Sequence, residues 1–250
     1  MPVELLRAHP RTRTFLIGAL LNSLGGGLTL PIMIVYLHQV VGMSLSSASA
    51  VFSWSAVVGL GTSPLVGSLV DRIGPRPILL SGIVVKATAM ALWPSVHGTL
   101  SVYAVATLAA LGDSSIWPPQ TTMMARMVPD ADRQKFFGLQ FMMLNLGLGA
   151  GGMISSFMVN IHDHASFTRL YLLDAGSYLT FFVFIASLRG IGGRLTEEER
   201  GSRHSGSWRE VLADRRLVRA ADGARRSAGR GDAAPAAGRG DAGHLPAAAA

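Results

Sequence analysis

Gly67-Ser68-Leu69-Val70-Asp71-Arg72-Ile73-Gly74-Pro75-Arg76 separates two long apolar runs, Ala48–Val70 and Pro77–Val96. Each run is close to the roughly 20 residues that a helix needs to cross the hydrocarbon core of a bilayer. A pair of membrane helices closed by a short loop carrying Asp71, Arg72 and Arg76 accounts for the whole region. Gly67 lets two helices approach closely, and Gly74 tolerates a left-handed turn. Arg72 and Arg76 belong on the cytoplasmic side, where loops collect Lys and Arg.

Outward from this hairpin, four more runs have similar length: Phe15–Leu37, Leu100–Met124, Phe136–Val159 and Leu170–Leu188. Hydrophobic residues make up 49% of the 250 and charged residues only 15%, against roughly 25% charged in soluble domains. Mean hydropathy is +0.38. The first run is too long for a signal-peptide core and lacks a small-residue cleavage site, so no cleaved leader is expected. With no cysteine in the chain, disulfides, thiolate nucleophiles and Cys-based metal sites are excluded.

Basic residues fall on alternate gaps. Arg7, Arg11 and Arg13 precede the first run; Arg72 and Arg76 follow the second; Arg126, Arg133 and Lys135 follow the fourth. Arg189, Arg194, Arg200, Arg203, Arg209, Arg215, Arg216 and Arg219 follow the sixth, and the remaining gaps hold only Arg169. Sixteen against one places both ends of the six-helix unit in the cytoplasm of a multi-pass protein of the cell (inner) membrane. The sequence pI of about 10.7 follows from this topology, and no nucleic-acid partner is needed to explain it. The partner implied by the runs themselves is the lipid bilayer.

The pattern Gly67-x-Leu69-x-Asp71-Arg72-x-Gly74-x-Arg76 resembles the loop between helices 2 and 3 of major facilitator superfamily (MFS) transporters, where it latches the two halves of the transporter in its outward-facing state. Gly26-x-Leu28-x-x-Pro31, Val128-Pro129-x-x-x-Arg133 and Leu172-Leu173-Asp174-Ala175 are similar to family patterns in helix 1, the loop after helix 4, and helix 6 of drug exporters. In the fifth run, Gly138, Gly147 and Gly151 fall on the spacing of the helix-5 motif of proton-coupled exporters. Gly152 stands where that motif has proline, and Ser155-Ser156 replace its closing glycine pair. The resemblance covers residues 14–219 and implies an all-α membrane protein of six transmembrane helices, arranged as 3+3, forming one half of a twelve-helix fold. It implies proton-coupled efflux of a small drug-like solute, with no cofactor and no metal. Half a cavity needs completing by a second six-helix half or by a second copy of the chain.

Two ionisable residues interrupt the apolar runs. Lys86 lies in the middle of Ile83–Met90 and Asp113 within Leu108–Ile116, and intramembrane charges are functional candidates by default. Counted along their helices from the basic ends, their depths differ by only about 5 Å. A Lys86–Asp113 pair is therefore expected, as a structural ion pair or as a proton or cation site. The family's helix 4 lines the cavity, which favours Asp113 for the functional role. Asn22 and Asn145 are the other candidates for the solute or proton pathway. Gly25-Gly26-Gly27 reads either as close packing or as a flexible point facing a cavity. The small residues Gly138, Gly147, Gly151 and Gly152 form a packing stripe. Trp117-Pro118-Pro119 is expected to break or bend the fourth helix. Asp174, near the outer end of the sixth run, is expected to cap it or to pair with Arg169. His162-Asp163-His164 reads as a solvated loop rather than a metal site.

Residues 1–14 form a basic lead and 15–189 the six-helix bundle. In 190–219, Trp208, Val211, Leu212 and Val218 share one face of a surface helix. Residues 220–250 are built from Ala, Gly, Arg, Asp and Pro and are expected to be disordered. That composition matches GC-rich codons and reads as a frame-shifted or truncated gene, with a natural tail as the other account. An ATP-driven pump is disfavoured by the absence of a Gly-x-x-x-x-Gly-Lys-Ser/Thr motif. An intramembrane hydrolase is disfavoured because the seven histidines lie in loops, tails or span ends. The second class that stands beside transport is a six-helix subunit or non-transporting membrane partner.

Overall fold

The computed structural model describes residues 10–161, 163–188 and 190. The surface helix expected in 190–219, the tail 220–250 and His162 lie outside them. Six long helices carry the six apolar runs: α1 (Pro10–Thr29), α2 (Leu45–Ile73), α3 (Pro75–Leu92), α4 (Thr99–Met127), α5 (Asp130–Met158) and α6 (His164–Ser187). All are long and apolar enough to span a membrane, the first as one unit reaching Val40. Among the described residues there is no strand.

Local chemistry sets the ends. Ser44 caps α2 by accepting from the Ser47 amide, and Asp163 caps α6 by accepting from the Ala165 amide. Both satisfy a backbone donor that the first turn leaves open. Asp130 and Asp132 sit in the first turn of α5, where carboxylates favour the helix dipole. Pro31 has no N–H to offer Gly27 O, and α1 accordingly stops at Thr29. A helical turn, Met33–Val35, and a π-helical stretch, Tyr36–Val40, complete the span.

The charged hairpin differs from expectation. Instead of a loop carrying Asp71, Arg72 and Arg76, α2 continues through Ile73 and α3 begins at Pro75. The whole reversal is made at Gly74, whose φ of +101° is open to glycine and costly for a residue with a Cβ. Pro75 then opens α3, where its missing N–H is no loss. Of the break or bend expected at Trp117-Pro118-Pro119, the break does not occur. Pro118 and Pro119 lie inside an unbroken α4, and Pro64 inside an unbroken α2. Lipid offers the backbone no water to bond, so breaking the helix would cost more than the lost bonds.

The principal packing runs in the order α5–α1–α6–α3–α4–α2. Exchanging α1 with α4, α2 with α5 and α3 with α6 returns the same order reversed, which is the signature of two three-helix repeats. Phe15 of α1 meets Phe136 of α5 and Phe181 of α6, with ring centroids 6.2 and 6.1 Å apart. Beyond the Pro31 break, Tyr36 packs on Trp93, Phe167 and Tyr171. Each such aromatic pair is worth about 0.5–1.5 kcal/mol beyond its buried area.

The α1–α5 crossing depends on small residues. A Cβ on Gly27 would stand 2.5 Å from Leu148 O, and one on Gly147 would stand 2.6 Å from Ser23 Cβ. A Cβ on Gly151 would collide with Leu24 O. Not every glycine expected in the packing stripe belongs to it. Gly138 has open space around it, and Gly152 only approaches the Pro31 ring. Gly59 and Gly67 of α2 likewise face open space, so Gly67 makes no close helix approach among the described residues. Helices α2 and α5 are the least covered, with 11% and 17% of their spanning windows buried, against 33–44% for the other four.

Candidate functional site

Three consecutive helical residues point about 100° apart, so Gly25, Gly26 and Gly27 face three directions. Gly25 abuts Ser177 and Asp174 of α6, and Gly27 abuts α5. Gly26 lines a cavity. Close packing and cavity facing thus divide between neighbours in one tripeptide. Asn22, Ser23 and Thr29 of α1, and Met33 in the turn beyond it, also line that cavity.

The cavity encloses about 410 Å³. Helix α4 contributes Ala109, Ala110, Asp113 and Trp117, α3 contributes Lys86, Met90 and the following Trp93, and α6 contributes Tyr171, Asp174 and Tyr178. Val51, Phe52 and Ser55 of α2 close one side, and Leu144 and Leu148 of α5 the other. A smaller recess of about 50 Å³ shares Asn22, Asp113 and Trp117 with it and adds Gln120 and Gln140. On α4 the spacing 113, 116, 117, 120 is one helical face turned to the two recesses.

Lys86 Nζ lies 2.6 Å from Asp113 Oδ2. Gly112 makes this approach possible, since a Cβ there would stand 2.8 Å from Lys86 Cβ. Lys86 is 12% exposed and Asp113 45%. The lysine is therefore enclosed, and the carboxylate keeps one side open to the cavity. An unpaired ammonium at this depth would be costly, and the charge-assisted bond offsets that cost.

Asp174 is the residue the sequence reading placed wrongly. It neither caps α6 nor pairs with Arg169, which bonds Asp163 at 3.4 Å. Helix α6 begins at His164 rather than Leu170, so Asp174 stands ten residues in, or about 15 Å from the start. There it is 1% exposed. Thr29 donates to its Oδ2 at 2.7 Å, and Ser177 donates to its Oδ1 at 3.3 Å. Its signal in the sequence was the ionisable side chain itself, which stands next to the centre of a helix whose true start is polar.

Asn22 lines both recesses, and its Oδ1 is buried with no hydrogen-bond partner among the described residues. Asn145 does not reach them. It is exposed on α5 and donates to Phe141 O at 2.7 Å. Gln140, also on α5 but turned inward and buried, is the polar residue that takes the place expected of Asn145. In the hairpin motif, Asp71 and Arg72 occupy the exposed last turn of α2, with Leu69 also exposed. Arg76 crosses to α6, where its Nη2 donates to Ala186 O at 2.7 Å. A guanidinium on the terminal carbonyls of a helix answers both their unmet acceptors and the dipole.

Six apolar spans in two interchanged repeats around one charged, aromatic-lined cavity define the class, a half-bundle of a membrane transporter. The sequence model of the Major Facilitator Superfamily matches residues 15–228, and the chain belongs to that superfamily. The uncharacterized MFS-type transporter YhjO of Bacillus subtilis (strain 168) is 24% identical over 179 residues, covering 72% of this chain and 43% of the relative. The multidrug resistance protein MdtH of Edwardsiella ictaluri (strain 93-146) is 25% identical over 172 residues, covering 69% and 41%. Among solved structures, a POT family transporter in complex with a thioalcohol-conjugated peptide aligns with a TM-score of 0.65 and 18% identity, covering 83% of this chain and 45% of that one. That likeness speaks for the fold. The chain spans less than half the length of the relatives it matches.

Proposed function

We propose that the chain forms the N-terminal-type half of a secondary transporter that exports a small drug-like solute in exchange for protons. The observation that carries this reading is the Lys86–Asp113 pair on the wall of a cavity of about 410 Å³, inside a bundle of the superfamily. An ion pair at membrane depth, even half open to a cavity, is costly to keep for stability alone, and apolar residues of equal volume would spare that cost. Asp113 is the proton or cation residue, and Asn22 contributes a polar contact whose oxygen is otherwise unmet. The name of the MdtH relatives supports a drug-like solute. The charge distribution supports an inner-membrane orientation with both ends of the bundle cytoplasmic. In that orientation the Gly67–Arg76 segment acts as the conformational latch between halves.

A second six-helix half, or a second copy of this chain, completes the cavity. The open glycine faces of α2 and the sparse cover on α5 favour this over a lone bundle. The test is proton movement in inverted vesicles holding the chain and its co-purified partner. Adding a lipophilic cation is expected to dissipate an imposed pH gradient, and Asp113→Asn is expected to abolish the response. An unchanged response in that variant removes Asp113 from coupling. Equal responses with and without the chain remove efflux altogether.

A further inference from the structure

Among the described residues, the charged groups lining the cavity are one cation, Lys86, and two carboxylates, Asp113 and Asp174. Lys86 is taken by Asp113 at 2.6 Å. Asp174 has only the hydroxyls of Thr29 and Ser177 as side-chain hydrogen-bond partners. A hydroxyl both donates and accepts, so this pocket serves a carboxylate and a carboxylic acid equally well. At 1% exposure, an ionised Asp174 without a counter-charge is costly. The other titratable or charged groups around it are Lys86 of α3, Asp113 of α4, Tyr36 beyond α1, and Tyr171 and Tyr178 of α6 itself. Of these, only Lys86 can supply a positive charge.

The packing order sets α3 between α4 and α6, so Lys86 stands on the helix that separates the two acids. The repeat symmetry gives a second, independent pointer. Lys86 is the twelfth residue of α3 and Asp174 the eleventh of α6, helices that exchange between the repeats. The contact between Lys86 on α3 and Asp113 on α4 corresponds to the contact between Asp174 on α6 and Thr29 on α1. Both are contacts between repeats on exchanged helix pairs: one holds a complete ion pair, the other an acid and a hydroxyl.

We infer that Lys86 is a counter-ion shared between Asp113 and Asp174, and that a lipophilic monocation seated against Asp113 drives Lys86 onto Asp174 and expels a proton from it. The inference rests on reading this cavity as the solute site. At the start, Asp174 is a carboxylic acid and Lys86 neutralises Asp113. The incoming cation enters on the side where Asp113 is 45% exposed, with Phe52, Trp93, Trp117, Tyr171 and Tyr178 as aromatic walls, which attract cations through their ring faces. Lys86, on a flexible four-carbon stem, transfers to Asp174. The Asp174 O–H bond breaks, its electron pair stays on the carboxylate, and the proton leaves to water in the cavity. The cluster carries no net charge before the exchange and, counting the bound cation, none after it. One cation enters for one proton released.

The experiment uses the full chain purified in detergent, in weakly buffered solution with a pH-indicating dye. The probe is tetraphenylphosphonium, a permanent cation with no proton of its own, so every proton released comes from the protein. The wild type is expected to release about one proton per bound probe, as the charge balance requires. Asp174→Asn is expected to bind the probe more weakly, because the displaced Lys86 has no carboxylate to receive it, and to release no proton at saturating probe. Asp113→Asn is expected to weaken probe binding about tenfold or more. Infrared difference spectra of the wild type provide a reading that needs no variant: a carboxylic-acid C=O band is expected to disappear on binding. Wild-type binding without proton release, release that persists in Asp174→Asn, or an unchanged C=O band overturns the inference. No transport is measured. Intact release with a failed vesicle assay removes efflux only, whereas intact transport without release removes the lysine exchange only.

Discussion

Substituting alanine for glycine along α5 is expected to change sign from one position to the next. At Gly151 an added Cβ collides with Leu24 O and approaches Gly27 Cα to 2.8 Å; at Gly147 it meets Ser23 Cβ at 2.6 Å and Leu20 O at 2.9 Å. Three of these four neighbours are backbone atoms, which no rotamer change can move. Overpacking of this kind costs about 1–3 kcal/mol, and backbone opposition puts Gly151→Ala at the upper end. Gly138 and Gly149 have nothing within 4 Å of such a Cβ. There the helix gains about 0.5–1 kcal/mol from alanine's smaller entropy loss. With about 2–4 °C per kcal/mol for a chain of this size, thermal unfolding in detergent, followed by size-exclusion chromatography, resolves the two groups. Gly147→Ala and Gly151→Ala should lower the midpoint, and Gly138→Ala and Gly149→Ala should hold or raise it. Equal shifts at all four positions would refute the α1–α5 crossing as described.

Two further predictions concern the hairpin. Gly74→Ala forces a Cβ onto a φ of +101° and should cost about 1–3 kcal/mol in the same unfolding assay; a neutral result would show that α2 and α3 join some other way. Arg76→Ala removes a charged donor from Ala186 O, a contact worth about 1.5–3 kcal/mol when buried and less here because the guanidinium is only partly covered. Hydrogen exchange at the last turn of α6 should quicken in that variant, and protection equal to wild type would count against the contact.

The number and approximate place of the helices were legible because apolar length is a strong signal in lipid. Lys86 and Asp113 were legible for the same reason: each interrupts an apolar run, and rise per residue alone brings their depths together. Asp174 was not. The polar turn His164–Arg169 belongs to α6 although its composition is that of a loop, and those residues carry Asp174 from the helix end into the interior. Asn145 and Gln140 show a second limit. Beyond its first turns, helix α5 is largely apolar or small all round, with Gln140 and Asn145 on different flanks. Its sequence therefore does not say which flank faces lipid, and packing against α1 at Gly147 and Gly151 turns Gln140 inward. The glycines were recognisable as a class. Which of them touch depends on where two helices cross, and that is a property of the pair.

Because the chain has no cysteine, single substitutions offer the most direct test of a water-filled cavity inside a lipid-embedded bundle. Ser55→Cys and Leu148→Cys place a thiol on the cavity wall, and Val183→Cys places one on α6 where the side chain is 65% exposed outside the cavity. In intact membranes, a charged, water-soluble thiol reagent is expected to label the first two and to leave Val183→Cys unlabelled until detergent is added. Labelling of Val183→Cys in the intact membrane, with Ser55→Cys and Leu148→Cys protected, would contradict the account.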